Sequence, residues 1–149
     1  MAIIGTVGAI LAHKGHDVFS VKPEITVFEA IQLMADRGIG AVLVMKDDKL
    51  IGILSERDYT RKVILKGKSS KQTPVSEIMS TTLTIVTPDH TVEECMALMT
   101  EKRVRHLPVM ENDKVVGIVS IGNLVNWIIS SQKSAIDQLQ NYITGGFSG

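Results

Sequence analysis

The sequence predicts an α/β (α+β) fold built from two copies of one unit, each ordered strand, helix, strand, strand, helix. Three observations predict it: an internal repeat, a helix cap at the same place in each copy, and paired apolar runs around a polar turn. With 149 residues, 44% of them hydrophobic, the chain can bury one compact core but not two large domains. We expect two pseudo-symmetric motifs that pack through their sheets.

The internal repeat organises the whole chain. A shift of 65 residues aligns residues 18–64 with residues 83–129, and 15 of the 47 pairs are identical; chance gives about three at ordinary residue frequencies. The segments before the repeats, residues 6–11 and 74–79, also correspond at a shift of 68. The predicted divisions are a first motif with an N-terminal helix (1–67), a Gly-, Ser- and Lys-rich linker (66–73), a second motif (74–131), and a C-terminal helix with a flexible tail (132–149).

Each unit opens with a short apolar strand, residues 19–21 or 84–86, that ends before a proline. A T-x-x-E capping box at Thr26 or Thr91 then starts the first helix, because the threonine and glutamate side chains bond the orphan amides of its first turn. Apolar side chains recur behind each cap at helical spacing. Cys95 lies on that face, so we expect a buried structural thiol rather than a nucleophile.

A β-hairpin and a second helix complete each unit. Apolar runs at residues 41–45 and 50–54, and again at 106–110 and 115–119, flank polar turns. The second helix begins after Ser55 or Ser120. In the tail, Ile136, Leu139 and Ile143 fall at helical spacing, which predicts an amphipathic helix docked on the rest of the protein.

Charge and cysteine usage limit the partners and the compartment. Lys plus Arg and Asp plus Glu each number 16, so the formal net charge is zero, which argues against nucleic-acid and membrane-surface binding. With a single cysteine no internal disulfide forms, which favours a reducing compartment such as the cytoplasm. The apolar start at residues 2–12 lacks a basic flank and is shorter than the roughly 20 residues of a spanning helix. We expect a soluble cytoplasmic protein.

The motif V-M-x-x-D-K-x-x-G-I-x-S occurs in both copies, and residues 105–109 read R-H-L-P-V. With the tandem arrangement, these motifs make the chain similar to the cystathionine β-synthase (CBS) domain pair, or Bateman module, over nearly its whole length. Residues 52–62 resemble stand-alone bacterial and plant-organelle members. The resemblance implies a homodimeric, non-catalytic regulator of a partner protein that binds AMP, ADP, ATP, NAD(P) or S-adenosylmethionine, with AMP foremost and no metal required.

In that family the motif G-h-x-[ST]-x-x-D, with h hydrophobic, supplies the ribose contacts. Ser55 and Asp58 fit it in the first repeat, whereas Ser120 is followed by Asn123 in the second. The resemblance therefore implies two unequal sites, each completed by the opposite repeat. The expected ligand-binding residues are Ser55, Glu56, Arg57, Asp58, Arg61, Thr84, Arg105, His106 and Pro108 around Asp58, and Ser20, Lys22, Gly40, Ala41, Ser120 and Asn123 around Asn123.

The residue chemistry agrees with that expectation. A carboxylate can accept hydrogen bonds from both hydroxyls of a ribose, and a helix that begins after Ser55 presents free amides to phosphate. Arg57 and Arg61, four residues apart, can neutralise that phosphate from one helical face. Simpler interpretations stay open: Ser55-x-x-Asp58 is also a common cap, and the basic run at residues 57–71 is also typical of a solvated surface.

Other candidate residues also have simpler structural interpretations. His106 is equally typical of the edge of a core, and the pair His13 and His16 lacks further ligands at metal-binding spacing. Trp127 stands where the first repeat has Lys62, so it needs cover from the terminal helix or another subunit.

Three competing functions remain at the sequence level. The first is an interaction module with vestigial pockets. The second is an enzyme, which is disfavoured because no nucleophile or carboxylate pair has a neighbouring base or metal set. The third is a nucleic-acid binder that would use the basic run.

Overall fold

The computed structural model describes residues 4–148, with backbone alone for residues 143–148. In chain order the elements are α1 (Val7–Lys14), β1 (Ser20–Val21), α2 (Val27–Arg37), β2 (Ala41–Lys46), β3 (Lys49–Ser55), α3 (Glu56–Tyr59), a π-helical segment (Thr60–Ile64), α4 (Val75–Ile78), α5 (Val92–Lys102), β4 (His106–Glu111), β5 (Lys114–Ser120) and α6 (Ile121–Ser148). This mixture of helices and two small sheets confirms the predicted fold class.

The two hairpins form as the sequence predicts. Strands β2 and β3 are antiparallel, as are β4 and β5, and β1 adds a parallel edge to the first hairpin. Both turns have left-handed backbone at their two central residues, Asp47 with Asp48 and Asn112 with Asp113. Positive φ at both positions is the type I′ turn, whose twist matches that of the flanking strands.

The prediction of a first strand in the second unit is wrong. Residues 84–86 form no strand, and a single bridge joins Val86 to Val109. In the first unit the Leu43 amide donates to the Phe19 carbonyl at 3.1 Å, which lengthens the ladder. The equivalent of Leu43 in the second repeat is Pro108, which has no N–H to donate to Thr84.

The capping box at Thr91 is confirmed, whereas at Thr26 the structure shows only the bond to the threonine hydroxyl. Thr91 Oγ1 accepts from the Glu94 amide at 3.1 Å, and Glu94 Oε1 accepts from the Thr91 amide at 3.0 Å. At α2 the Thr26 hydroxyl accepts from the Glu29 amide at 3.2 Å. Cys95 is fully buried on α5, and burial raises the pKa of its thiol to about 11, as suits a structural side chain.

The segments before the repeats cross between the two halves. Val7, Ile10 and Leu11 of α1 belong to the core of the second repeat, whereas Val75 and Ile78 of α4 belong to the core of the first. The sequence groups the N-terminal helix with the first motif, but its packing lies entirely with the second. Apolar periodicity identifies a buried face without identifying the partner of that face.

Two repeat-related glycines lie under these crossings. A Cβ on Gly117 would lie 2.7 Å from Leu11 Cδ2, and a Cβ on Gly52 would lie 2.6 Å from Met79 Sδ. Both distances are far below van der Waals contact, so the crossing segments require glycine at these strand positions.

The C-terminal segment differs from the predicted docked helix with a flexible tail. Helix α6 runs unbroken from Ile121 to Ser148, because no proline interrupts it. The helix leaves Ile136 and Leu139 exposed at 52% and 59%; the side chain of Ile143 and all of Gly149 lie outside the described residues. Trp127 is instead covered by the N-terminal segment, since its Nε1 donates to the Ile4 carbonyl at 2.8 Å.

The linker is tied to the first unit. The Val27 and Phe28 amides at the start of α2 donate to the carbonyls of Thr73 and Ser70, so the linker satisfies orphan donors of that helix. Across residues 4–148, no helix combines the length and the apolar character needed to cross a membrane.

Candidate functional site

A cavity of about 290 Å³ lies between the start of α3 and the second repeat. It brings together every residue expected around Asp58: Ser55, Glu56, Arg57, Asp58, Arg61, Thr84, Arg105, His106 and Pro108. Gly40, which was expected at the other site, also lines it. The Glu56 amide donates to the Gly40 carbonyl at 3.0 Å, and a Cβ on Gly40 would lie 3.4 Å from His106 Nε2, so Gly40 is held at this cavity.

Asp58 caps its own helix. Its Oδ2 accepts from the Ser55 amide and the Ser55 hydroxyl, both at 3.0 Å, and the Ser55 Oγ accepts from the Asp58 amide at 3.2 Å. The other oxygen, Oδ1, lies 3.3 Å from Lys62 Nζ. The capping interpretation of Ser55-x-x-Asp58 is therefore correct, and a carboxylate with about four acceptor positions keeps capacity for a hydroxyl donor as well.

The cavity wall is positively charged. Four arginines line it, Arg57 and Arg61 from the first repeat and Arg103 and Arg105 from the second, against the carboxylates of Glu56 and Asp58. The four arginines outnumber the two carboxylates, so the potential of the cavity is positive.

His106 is half-buried in the same wall. Burial lowers the pKa of its imidazole, and the positive charges of Lys14 and Arg105 lower it further. The ring is therefore neutral at pH 7 and can both donate and accept a hydrogen bond.

Sequence reasoning missed six lining residues: Ile53, Ser80, Thr82, Leu83, Arg103 and Val104. Arg103 carried a signal, because it stands where the first repeat has Gly38. Both residues end their helices in the left-handed conformation, with φ of 55° and 64°. A non-glycine residue there is strained, and strain of this kind marks functional positions. Residues 80–82 lie between the two aligned segments of the second repeat, so they have no aligned counterpart from which a role could be predicted.

The lysines of the basic run do not line this cavity. Lys68 pairs with Glu77 at 2.8 Å, and Lys71 Nζ lies 5.0 Å above the ring centre of Phe28. The run therefore divides into arginines at the cavity, Lys62 beside Asp58, and Lys68 and Lys71, which bind their own surface.

Of the residues expected around Asn123, the neighbouring cavity contains Asn123 alone. Asn123 Oδ1 accepts from the Ser120 amide at 2.9 Å and from Lys14 Nζ at 3.0 Å. The neighbouring cavity, of about 640 Å³ between α1 and α6, contains Asn123 and Lys14. Ser20, Lys22, Ala41 and Ser120 do not line it; Ala41 is buried in β2. The Lys14 amine therefore contacts the side chain that was expected to bind the ribose of the second site.

The described residues do not offer a ready set of metal ligands. Within residues 4–148, no three His, Cys, Asp or Glu side chains are grouped so as to hold an ion. His16 Nδ1 lies 2.9 Å from the Val116 carbonyl, to which it donates.

Comparison with known proteins identifies the same repeat. The CBS domain family model matches residues 7–64 and 75–130. The mitochondrial CBS domain-containing protein CBSX3 of Arabidopsis thaliana is 40% identical over 127 residues, which are 82% of this chain and 62% of that protein, so this chain spans less than two thirds of that relative. The CBS domain-containing protein YhcV of Bacillus subtilis is 34% identical over 86% of this chain and 84% of its own length.

Solved structures share the fold. A putative signal-transduction protein with CBS domains from Burkholderia ambifaria is 48% identical and superposes with a TM-score of 0.84 over 86% of this chain and 96% of its own. The CBS domain pair of protein MJ0100, solved with 5′-methylthioadenosine and S-adenosylmethionine, has a TM-score of 0.76 at 22% identity, covering 86% and 98%. A CBS-CP12 protein from bloom-forming cyanobacteria, described as hexameric, has a TM-score of 0.74 at 26% identity, covering 83% and 68%.

Proposed function

Because this chain belongs to the CBS domain family, as a tandem pair of CBS domains, we propose that it is a regulatory module that binds an adenosine nucleotide in the cavity at Asp58. Nucleotide binding then changes how the two repeats pack, and a partner protein responds to that change. We further propose that the chain forms a homodimer, resides in the cytoplasm and turns over no nucleotide.

The observation that carries this proposal is the composition of the cavity at Asp58. One carboxylate, Asp58, lies at the start of α3, and basic side chains reach the same space from both repeats. A ribose can donate its hydroxyls to the carboxylate, while arginines form bidentate bonds to phosphate. A ligand in this space contacts both halves of the molecule at once, which is what a sensor of their packing needs.

Charge favours a phosphate-bearing ligand over other adenosine compounds. The four arginines outnumber the two carboxylates of the cavity, and His106 is held neutral by its lowered pKa. An anionic nucleotide complements such a wall, whereas S-adenosylmethionine carries a sulfonium cation and methylthioadenosine carries no charge. The two compounds bound in the MJ0100 neighbour share only the adenosine with our proposed ligand.

Size favours a mononucleotide. The cavity volume of about 290 Å³ lies at the lower end of the roughly 300–1,000 Å³ of ligand pockets. AMP is therefore our first choice, ahead of ATP and NAD(P).

Calorimetric titration tests the proposal on protein that native mass spectrometry shows to be free of nucleotide. We expect AMP to bind and S-adenosylmethionine to bind at least tenfold more weakly. The key variant is Asp58→Asn, because Asn123 shows that asparagine keeps the cap by accepting from the serine amide. Losing the charged acceptor should weaken AMP binding about tenfold, since bonds to charged groups exceed neutral ones by roughly 1 kcal/mol or more.

Asn123→Ala is the matched control and should leave AMP affinity unchanged. Equal affinity of Asp58→Asn and the unmodified protein, with a lowered affinity for Asn123→Ala, would contradict the assignment of the site. No binding of any adenosine compound would instead favour the second candidate, an interaction module with vestigial pockets. That alternative is supported by the exposed apolar side chains of α6, among them Ile129 and Leu139.

A further inference from the structure

We propose that Lys14 blocks the side-chain acceptor of Asn123 and thereby restricts the chain to one adenosine nucleotide. The inference rests on the proposed function and extends it to binding stoichiometry. It starts from the contacts of one amine: Lys14 Nζ donates to the Ile118 carbonyl at 2.7 Å and to Asn123 Oδ1 at 3.0 Å.

The position of Lys14 follows from a difference between the two crossing segments. Helix α4 ends at Ile78, and the chain then extends so that Ser80 and Ile53 exchange two backbone hydrogen bonds of 2.9 and 3.0 Å. Helix α1 continues to Lys14, so the repeat mate of Ile53, which is Ile118, receives the lysine amine instead of a backbone bridge.

The local sequence explains why only one segment stays helical. Leu11 is followed by Ala, His and Lys, which continue a helix readily, whereas Met79 is followed by Ser and two β-branched threonines. The helical continuation places the Lys14 side chain above β5, where its partial burial lowers the pKa of the amine. Lys14 is an exposed residue, but its amine is held by the Ile118 carbonyl and Asn123 Oδ1.

The Lys14 amine bonds to the Asn123 side-chain oxygen, which is the acceptor that a ribose hydroxyl would use. An amide oxygen has two lone pairs, and those of Asn123 are taken by the Ser120 amide at 2.9 Å and Lys14 Nζ at 3.0 Å. Asp58 differs, because its second oxygen faces only Lys62 at 3.3 Å. A nucleotide entering the Asn123 pocket must displace two short charge-assisted bonds, whereas one entering the Asp58 cavity need displace none as short.

The experiment measures the stoichiometry of AMP binding by calorimetry and native mass spectrometry. We expect one AMP per chain for the unmodified protein and two for Lys14→Met, which shortens the side chain by one atom and removes the amine. Lys14→Arg keeps a cation at the end of α1 and should stay at one. Lys49→Met, at the exposed turn of the first hairpin, is the matched loss of charge and should also stay at one.

Each measured stoichiometry supports or contradicts a proposal. Two AMP per chain in the unmodified protein, or one in Lys14→Met, overturns the role of Lys14 while leaving the proposed function intact. No AMP on either protein overturns both proposals, because the pocket opened by the substitution should bind by itself. AMP on Lys14→Met alone supports the role of Lys14 and overturns the Asp58 site. Thermal unfolding of each variant without ligand shows that it is folded.

Discussion

Among single residues, Arg103 shows most directly that a residue can serve the ligand site at a cost in folding stability. It is a charged residue at the cavity, in the left-handed conformation that its repeat mate Gly38 adopts without penalty. For a residue with a Cβ that conformation costs about 1 kcal/mol. The arginine is therefore expected to serve the ligand rather than the fold.

Arg103→Gly should make the protein more stable and the ligand weaker. Release of the left-handed strain is expected to raise the free energy of unfolding by about 1 kcal/mol, while loss of one of four arginines lowers AMP affinity about tenfold or more. Urea unfolding and calorimetric titration measure the two effects. Arg103→Asn tolerates the same backbone without the charge, so it should copy the affinity loss. A variant that loses stability, or that keeps full affinity, contradicts this account.

His106 should make stability depend on pH. Because burial, Lys14 and Arg105 lower the pKa of the folded imidazole, the unfolded chain binds a proton at a higher pH than the folded chain does. Stability is thus full above the unfolded value of about 6.5 and falls as the pH drops from there towards the lowered folded pKa. His106→Gln should flatten this part of the profile in thermal unfolding between pH 7 and pH 5. His13→Gln, at an exposed position of α1, should keep the slope; parallel slopes for all three proteins would reject the idea.

At the level of elements, the crossing of α1 onto β5 depends on a single missing side chain. Gly117→Ala places a methyl group 2.7 Å from Leu11 Cδ2, and overpacking of this kind costs about 1–3 kcal/mol. We expect a lower midpoint of urea unfolding with an unchanged slope. Gly122→Ala is the control, because its methyl group meets only Ser120 Oγ at an ordinary 3.6 Å, and it should lose nothing. Leu11→Ala should cost less in the Gly117→Ala background than by itself if the two side chains collide.

The elements that could be predicted from sequence are those with local causes. The hairpins follow from alternating apolar runs and turn residues, and the caps follow from T-x-x-E and S-x-x-D spacing. The residues of the Asp58 cavity could be predicted only from the family resemblance, since its two walls lie about fifty residues apart in the sequence. The crossing of α1, the bridge lost to Pro108 and the Lys14 contact depend on which surfaces meet, and periodicity carries no such information. The strained position of Arg103 could be predicted from the sequence, but only by comparing the two repeats and noting which residue replaces the glycine of the first.

At the level of the whole molecule, α6 carries an exposed apolar stripe on the side that faces away from α1. It consists of Ile121, Val125, Ile129, Ile136 and Leu139, which are 44 to 59% exposed and spaced so that they share a helical face. A stripe of this length is typical of an association surface, and the hexameric relative shows that the fold can oligomerise.

We therefore predict that Ile129→Lys weakens a homodimer formed through α6. A lysine at the centre of an apolar contact loses hydration without a partner, so sedimentation velocity at micromolar concentration should show a shift towards monomer. Asn141→Lys adds the same charge on the opposite side of the helix and should leave the distribution unchanged. Unmodified protein that sediments as a monomer at high micromolar concentration would contradict the homodimer itself.

The crossed arrangement of the cores also affects how the protein folds during its own synthesis. Helix α1 is synthesised before the second repeat, yet the core that receives Val7, Ile10 and Leu11 is complete only once Leu124 has been made. At ordinary translation rates that delay is roughly 5 to 20 seconds. Throughout it, three apolar side chains have no native partner, so the nascent chain is a candidate for chaperone binding, and slow codons in the second half would lengthen that exposure.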